Sequence, residues 1–243
     1  MTEAALLPGR FAEGEFRIGG VLNRTWLVLS RNFFTFLAVT AVASLPDLVF
    51  ANPGQSRGLV LAGALLSDVM RRLSQAMVIY GAFQELRGQP VSLVESLQVG
   101  GRRIIPVIGL AVGATVLTAL GFVLLVVPGV LVATMLFVAT PVCVVERLGP
   151  FRSMDRSAQL TKGHRWRIFG LLVLVFVPTA IVGVTFDTLS EIAGIGGVLA
   201  PIGQVIADAI WGPVEAVLVI ATYHDLRVAK EGVDTAQIAA VFE

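Results

Sequence analysis

Cysteine occurs once in the chain, at Cys143 inside an apolar run, so no intramolecular disulfide can form and the thiol is expected to pack as a small hydrophobe. Histidine occurs twice, at His164 and His224, far apart and with no cysteine companion, so no zinc, haem or other metal site is expected. Charge is scarce as well. Only 14% of the 243 residues are charged while 56% are hydrophobic, and the mean hydropathy is +0.83. That is too little polar side chain to cover a water-soluble particle of this size, which makes the chain an integral membrane protein by composition. The usual catalytic and nucleotide motifs are also missing: there is no G-x-S-x-G elbow, no G-x-x-x-x-G-K-[ST] loop and no dinucleotide fingerprint. The reading is therefore non-enzymatic, with no catalytic residue and no cofactor. The first residues lack a basic start, an apolar core and a small-residue cleavage site, so no removable signal peptide is expected.

What is present is apolar sequence in lengths that cross a bilayer. Residues 104–127 and 128–145 contain no charge and read as a hairpin turning at Val127, Pro128 and Gly129; residues 168–186 are a third uncharged run. Three further spans carry charge: 33–50 with Asp47, 59–83 with the stretch SDVMRRLSQ from Ser67 to Gln75, and 201–223 with Asp208 and Glu215. The spans expected are thus 33–50, 59–83, 104–127, 128–145, 168–187 and 201–223, with Gly-rich residues 190–200 as an outer connection. Lys and Arg support an even number. With six spans, fifteen of the eighteen basic residues fall on one side: Arg10, Arg17, Arg24 and Arg31; Arg87, Arg102 and Arg103; Arg147, Arg152, Arg156, Lys162, Arg165 and Arg167; Arg227 and Lys230. By the positive-inside rule that side, and both termini, are cytoplasmic.

Before each pair of spans stands a polar-apolar segment ending in Gly and Arg, beginning at Phe16, Pro90 and Pro150. The fold class expected is all-α: a polytopic bundle of six transmembrane helices in three hairpins, each preceded by a short amphipathic helix at the cytoplasmic interface. Ser92 and Glu95 have capping-box spacing. Phe151, Met154 and Ala158 share a helical face opposite Arg152, Asp155, Arg156 and Gln159, with Gly163 placed to end the helix. Arg102, Arg103, Arg152, Arg156, Lys162, Arg165, Trp166 and Arg167 are the candidates for interfacial contact with anionic lipid headgroups. That explains the basic residues without nucleic acid. Gly109, Gly113 and Gly121 point to close helix packing.

The charges inside the spans need a partner. If the second span ends near Gln84, Arg72 lies about 18 Å inside it and Asp68 about 24 Å, at 1.5 Å per residue. A charge at that depth costs roughly 2.5 to 3.5 kcal/mol on insertion scales, so it must face protein or water. In the sixth span Gln204, Asp208, Trp211, Glu215 and Thr222 lie on one face. These edges are expected to meet in a buried ionic cluster of Asp68, Arg71, Arg72, Asp208 and Glu215, with Asp47 as a further member. Such a cluster can fix helix register, or line a water-filled cavity for binding or transport.

Residues 126–171, the start FRIGGVLNRTWLVLSRNFFTF and the ending YHDLRVAKEGVD resemble the bacterial glycerophosphoryl diester phosphodiesterase membrane-domain family and its YciC-like inner-membrane relatives. The resemblance rests on the Pro-Gly turn, the Glu-Arg-x-Gly step and the Leu-Thr-x-Gly-x-Arg-Trp segment. It implies a six-helix bacterial inner-membrane module linked to lipids. It brings no hydrolytic activity, because the chain has no room for the soluble phosphodiesterase domain and lacks its His and Glu signature. The function expected is a module binding lipid or a membrane partner through its basic interfacial helices. The alternative is a transporter or channel using the charged cluster, and the third reading an intramembrane lipid-modifying enzyme.

Overall fold

A computed structural model describes residues 16–50, 56–194 and 196–231. Arg10, the start of the N-terminal segment and residues 232–234 of the C-terminal likeness lie outside the described residues. The described chain is all-helical, with no strand: α1 (Ile18–Phe50), α2 (Arg57–Leu86), α3 (Leu93–Leu124), α4 (Val126–Leu136), α5 (Ala139–Val145), α6 (Pro150–Thr161), α7 (Arg165–Ile192) and α8 (Gly196–Glu231). Five stretches are long and apolar enough to cross a membrane: Ile18–Leu48, Leu93–Leu124, Val126–Val145, Arg165–Ile192 and Ile202–Glu231. α2 has comparable length, but every stretch of 18 residues in it contains Arg71, Arg72 and at least one carboxylate.

Three expected details change. The hairpin turns at Leu125, whose backbone is extended (φ −171°, ψ 157°), and Pro128 sits in the first turn of α4, where a missing N–H costs nothing. There α3 and α4 touch backbone to backbone: a Cβ on Gly121 would stand 2.9 Å from the Gly129 Cα. Second, the span 128–145 is two helices, α4 and α5, broken at Phe137 and Val138. Pro141 explains the break, since its ring excludes a helical carbonyl four residues earlier. Third, the segment from Pro90 runs without a break into α3, whereas the segment from Phe16 is divided from the rest of α1 by non-helical backbone at Asn32 and the segment from Pro150 forms the separate α6. α1 bends at Asn32 (φ −121°, ψ 16°), whose side chain donates to the Val28 carbonyl at 3.3 Å. Residues 190–192 and 196–200, expected in a connection, are helical.

Contacts fix the directions. Arg31 meets Glu85 and Phe36 lies against Gly81, so α1 and α2 run antiparallel. Arg24 meets Asp225 while Thr40 meets Ala209, so α1 is antiparallel to α8 as well. α2 and α8 therefore run side by side in the same direction. Ser92 caps α3 as its spacing predicts, accepting from the Glu95 N–H at 3.4 Å. The reciprocal half of the box is given to α2: Gln84 accepts from the Ser92 N–H at 3.0 Å, and Glu95 accepts from Gln84 and Tyr80 at 2.6 Å each. This clamps the end of α2 to the start of α3.

The core lies at the end of the bundle that carries the basic residues. Phe16, Val21, Val28, Ile79, Leu110, Val142, Leu160, Ile168, Leu171, Leu218 and Leu226 are all buried there. Toward the other end the helices present apolar side chains outward, among them Leu61 and Leu65 of α2, Val123 of α3 and Val182 of α7. Gly109 and Gly113 face α6, meeting Pro150 and Met154.

Candidate functional site

Where the packed end gives way to the open one, a hydrogen bond joins α1 to α8. Pro213 has no N–H to give the Ala209 carbonyl four residues before it. Thr40 of α1 brings a donor to it: its Oγ1 lies 2.8 Å from that carbonyl, nearer than the Phe36 and Leu37 carbonyls of its own helix at 3.0 and 3.2 Å, among which the single hydroxyl proton is shared. Gly212 lets the helices come this close, since a Cβ there would stand 3.3 Å from the Thr40 methyl. Membrane helices tolerate proline by this kind of exchange.

Beside this bond lies a cavity of about 410 Å³, open on one side. α1 contributes Thr40 and Ser44; α2 contributes Asp68, Arg71, Arg72, Ser74 and Gln75; α8 contributes Asp208, Trp211, Gly212 and Glu215. The sequence-derived cluster is thus brought together around one space. Arg71 donates to Asp208 at 3.4 Å, Arg72 pairs with Asp68 one turn back at 3.5 Å, and Gln204 donates to Asp208 at 3.0 Å. These ion pairs are long for charge-assisted bonds, which settle near 2.7 to 2.9 Å on average (roughly).

The cluster is not sealed, contrary to expectation. The Asp68 and Arg71 side chains are 52% and 43% exposed, because the cavity opens between α2 and its neighbours and is not filled by side chains. Asp47 does not line the cavity; one of its carboxylate oxygens is buried without a partner among the described residues. Thr222 likewise does not line it, being buried and bonded to the Leu218 carbonyl. Several lining groups have unused capacity. The Trp211 Nε1–H and Arg72 Nε–H find no acceptor, and no hydrogen bond among the described residues reaches the Glu215 carboxylate. Ser44 and Ser74, by contrast, are committed to carbonyls of their own helices. Three carboxylates facing two guanidinium groups leave the cavity one negative charge in excess when all are ionised.

The expected interfacial residues divide into two sets. Arg102, Arg152, Lys162 and Trp166 are exposed, together with Phe151. Arg103 is half-buried and donates to the Arg147 carbonyl at 3.0 Å; Arg167 is exposed and donates to the Phe16 carbonyl at 2.6 Å. Arg156 joins Glu146 at 3.2 Å and Glu231, and the Arg165 Nε is buried. The expected apolar face of α6 is also displaced: Met154 is buried, but Phe151 is 83% exposed, and the inward face is completed by Ser153, Ser157, Leu160 and Thr161. Their hydroxyls bond backbone carbonyls, Ser157 reaching Met135 at 2.7 Å, which lets a polar face pack. α6 is therefore docked into the bundle and does not lie flat on its surface.

One network had no local signal in the sequence. Glu146, at the end of α5, accepts from Arg156 and from the Tyr223 hydroxyl at 2.9 Å; Arg227 donates to that hydroxyl at 3.1 Å and to Glu231 at 3.0 Å. It ties α5, α6 and α8 together. Arg147, next to Glu146, adopts a left-handed conformation (φ 56°), and this lets the chain reverse before α6.

Residues 92–226 match a family model described as "Domain of unknown function (DUF7847)". The match begins at the cap of α3 and ends within α8, so it includes the α8 wall of the cavity but not α1 or α2. No curated protein and no solved structure matches the chain.

Proposed function

The chain belongs to the family described as a domain of unknown function, DUF7847, and from the cavity we propose that it is a non-enzymatic membrane module that binds a lipid, the headgroup entering between α1, α2 and α8. The observation that carries this reading is the change of character along one surface. Along the stripe of α2 that carries Asp68 and Arg72, a charged, incompletely bonded cavity gives way to the exposed apolar side chains of Leu65 and Leu61. A molecule with a charged end and hydrocarbon chains fits both parts. A soluble ion would need only the first.

In this reading α2 is the sixth span, its charges facing the cavity, and the helices form three hairpins in a bacterial inner membrane. The basic end faces the cytoplasm. The exposed Phe151, Arg152, Lys162 and Trp166 then lie among headgroups, where anionic lipid is attracted and a membrane partner could dock. The likeness to the glycerophosphoryl diester phosphodiesterase membrane-domain family and its YciC-like relatives agrees with a lipid role. Transport through the charged cluster is less well supported, because the α8 segment beyond Glu215, from Ala216 to Tyr223, is buried throughout and closes the cavity floor.

Native mass spectrometry of the full chain released from mild detergent tests the reading. Wild type should retain one lipid per chain, and Arg71→Gln with Arg72→Gln should lose most of it. Absence of bound lipid in wild type, or equal retention by the double variant, would overturn it.

A further inference from the structure

The cavity has an order as well as a composition. Glu215 lies seven residues beyond Asp208 on α8, about 10 Å deeper toward the packed end. Asp208 is level with Arg71, to which it is bonded, and Arg72 follows Arg71 one residue nearer the packed end. From floor to mouth a ligand would meet a carboxylate with no hydrogen-bond donor among the described residues, then two guanidinium groups paired with Asp208 and Asp68 at 3.4 and 3.5 Å, then the exposed Leu65 and Leu61 of α2. The unused groups agree with this sequence. Glu215 can accept, whereas the Arg72 Nε–H and the Trp211 Nε1–H can only donate. The excess of one carboxylate means that an anion alone would leave the floor unsatisfied and add repulsion.

Resting on the lipid-binding reading, we infer that the cavity recognises a zwitterionic headgroup with a primary amine at its tip, the ammonium donating to Glu215 and the phosphate lying between Arg71 and Arg72. The shared chemistry is that of phosphoethanolamine, free or esterified to lipid. A quaternary ammonium has no N–H to donate to Glu215, and a glycerol headgroup brings no positive charge, so both should be discriminated against.

Trp211 provides the readout. The chain has three tryptophans, and Trp26 and Trp166 are exposed on α1 and α7 away from the cavity. In full-length protein with Trp26→Phe and Trp166→Phe, Trp211 fluorescence is titrated in detergent with short-chain phosphatidylethanolamine, phosphatidylcholine and phosphatidylglycerol, and with free phosphoethanolamine. The inference expects a saturable change with phosphatidylethanolamine at least tenfold tighter than with the other two lipids. Glu215→Gln should reduce that preference to about twofold or less, and Arg72→Gln should weaken all three lipids. Equal affinity for the three lipids in the Glu215-containing protein overturns the amine assignment and leaves lipid binding standing; this comparison needs no cavity variant to fold. No response to any lipid overturns lipid binding itself. Free phosphoethanolamine binding as tightly as the lipid would keep the amine assignment and make the ligand a soluble solute.

Discussion

At the scale of single residues, Thr40 is the position on which the site most depends. It donates where Pro213, which has no N–H, cannot, and it does so at the cavity wall. Thr40→Val keeps the shape and removes the donor, leaving the Ala209 carbonyl unpaired; the expected cost is about 1 to 3 kcal/mol, the usual penalty for a buried unsatisfied group. Equilibrium unfolding in mixed micelles measures this, and Pro213→Ala in the same background should recover part of the loss by restoring the N–H within α8. Nothing about this pair was legible in the sequence, where Thr40 and Pro213 are unremarkable residues of two apolar runs. The charged stripes were legible, because a guanidinium in an apolar helix is costly enough to predict its own partners. Their openness was not, since it depends on how far α2 stands from its neighbours.

At the scale of elements, α6 separates two roles that its sequence presents as one amphipathic pattern. Arg152 and Phe151 point outward, whereas Arg156 is held by Glu146 and Glu231 and by burial beside them. Burial draws the Arg156 guanidinium down from its ordinary value, but hydrogen bonding to Glu231 and the nearby Glu146 charge outweigh it, so the group is held above that value and stays charged. Arg156→Gln should therefore lower stability by about 2 kcal/mol, the scale of hydrogen bonds to charged groups, with little effect on liposome binding. Arg152→Gln with Lys162→Gln should do the reverse: unchanged stability, and weaker binding to vesicles containing anionic lipid. Flotation and thermal denaturation of the two proteins check the division. Sequence reasoning grouped these residues because helical spacing gives a face, not the neighbour that occupies it. Of the partners, Glu146 stands ten residues back at the end of α5, while Tyr223, Arg227 and Glu231 come from α8, far away in sequence. Helix starts at Ser92 and ends near Gly163 were readable, since caps are local.

At the scale of the whole molecule, one end is packed and the other opens around polar groups. The packed end collects the buried hydrophobes, the α5–α6–α8 network and the clamp of Gln84 on Glu95. The open end presents apolar surface in every direction, with the charged cavity at its base. Length and hydropathy made the all-helical class readable, and with it helices long and apolar enough to cross a membrane. The break at Pro141 and the continuity of α3 through its basic segment depended on backbone geometry that hydropathy does not register. A density map of the full chain in phosphatidylethanolamine nanodiscs tests the central claim most directly. The account predicts elongated density from Glu215 past Arg71 to Leu65 and Leu61 of α2. A cavity closed by side chains, or Arg72 turned toward acyl chains with α2 and α8 apart, would contradict it.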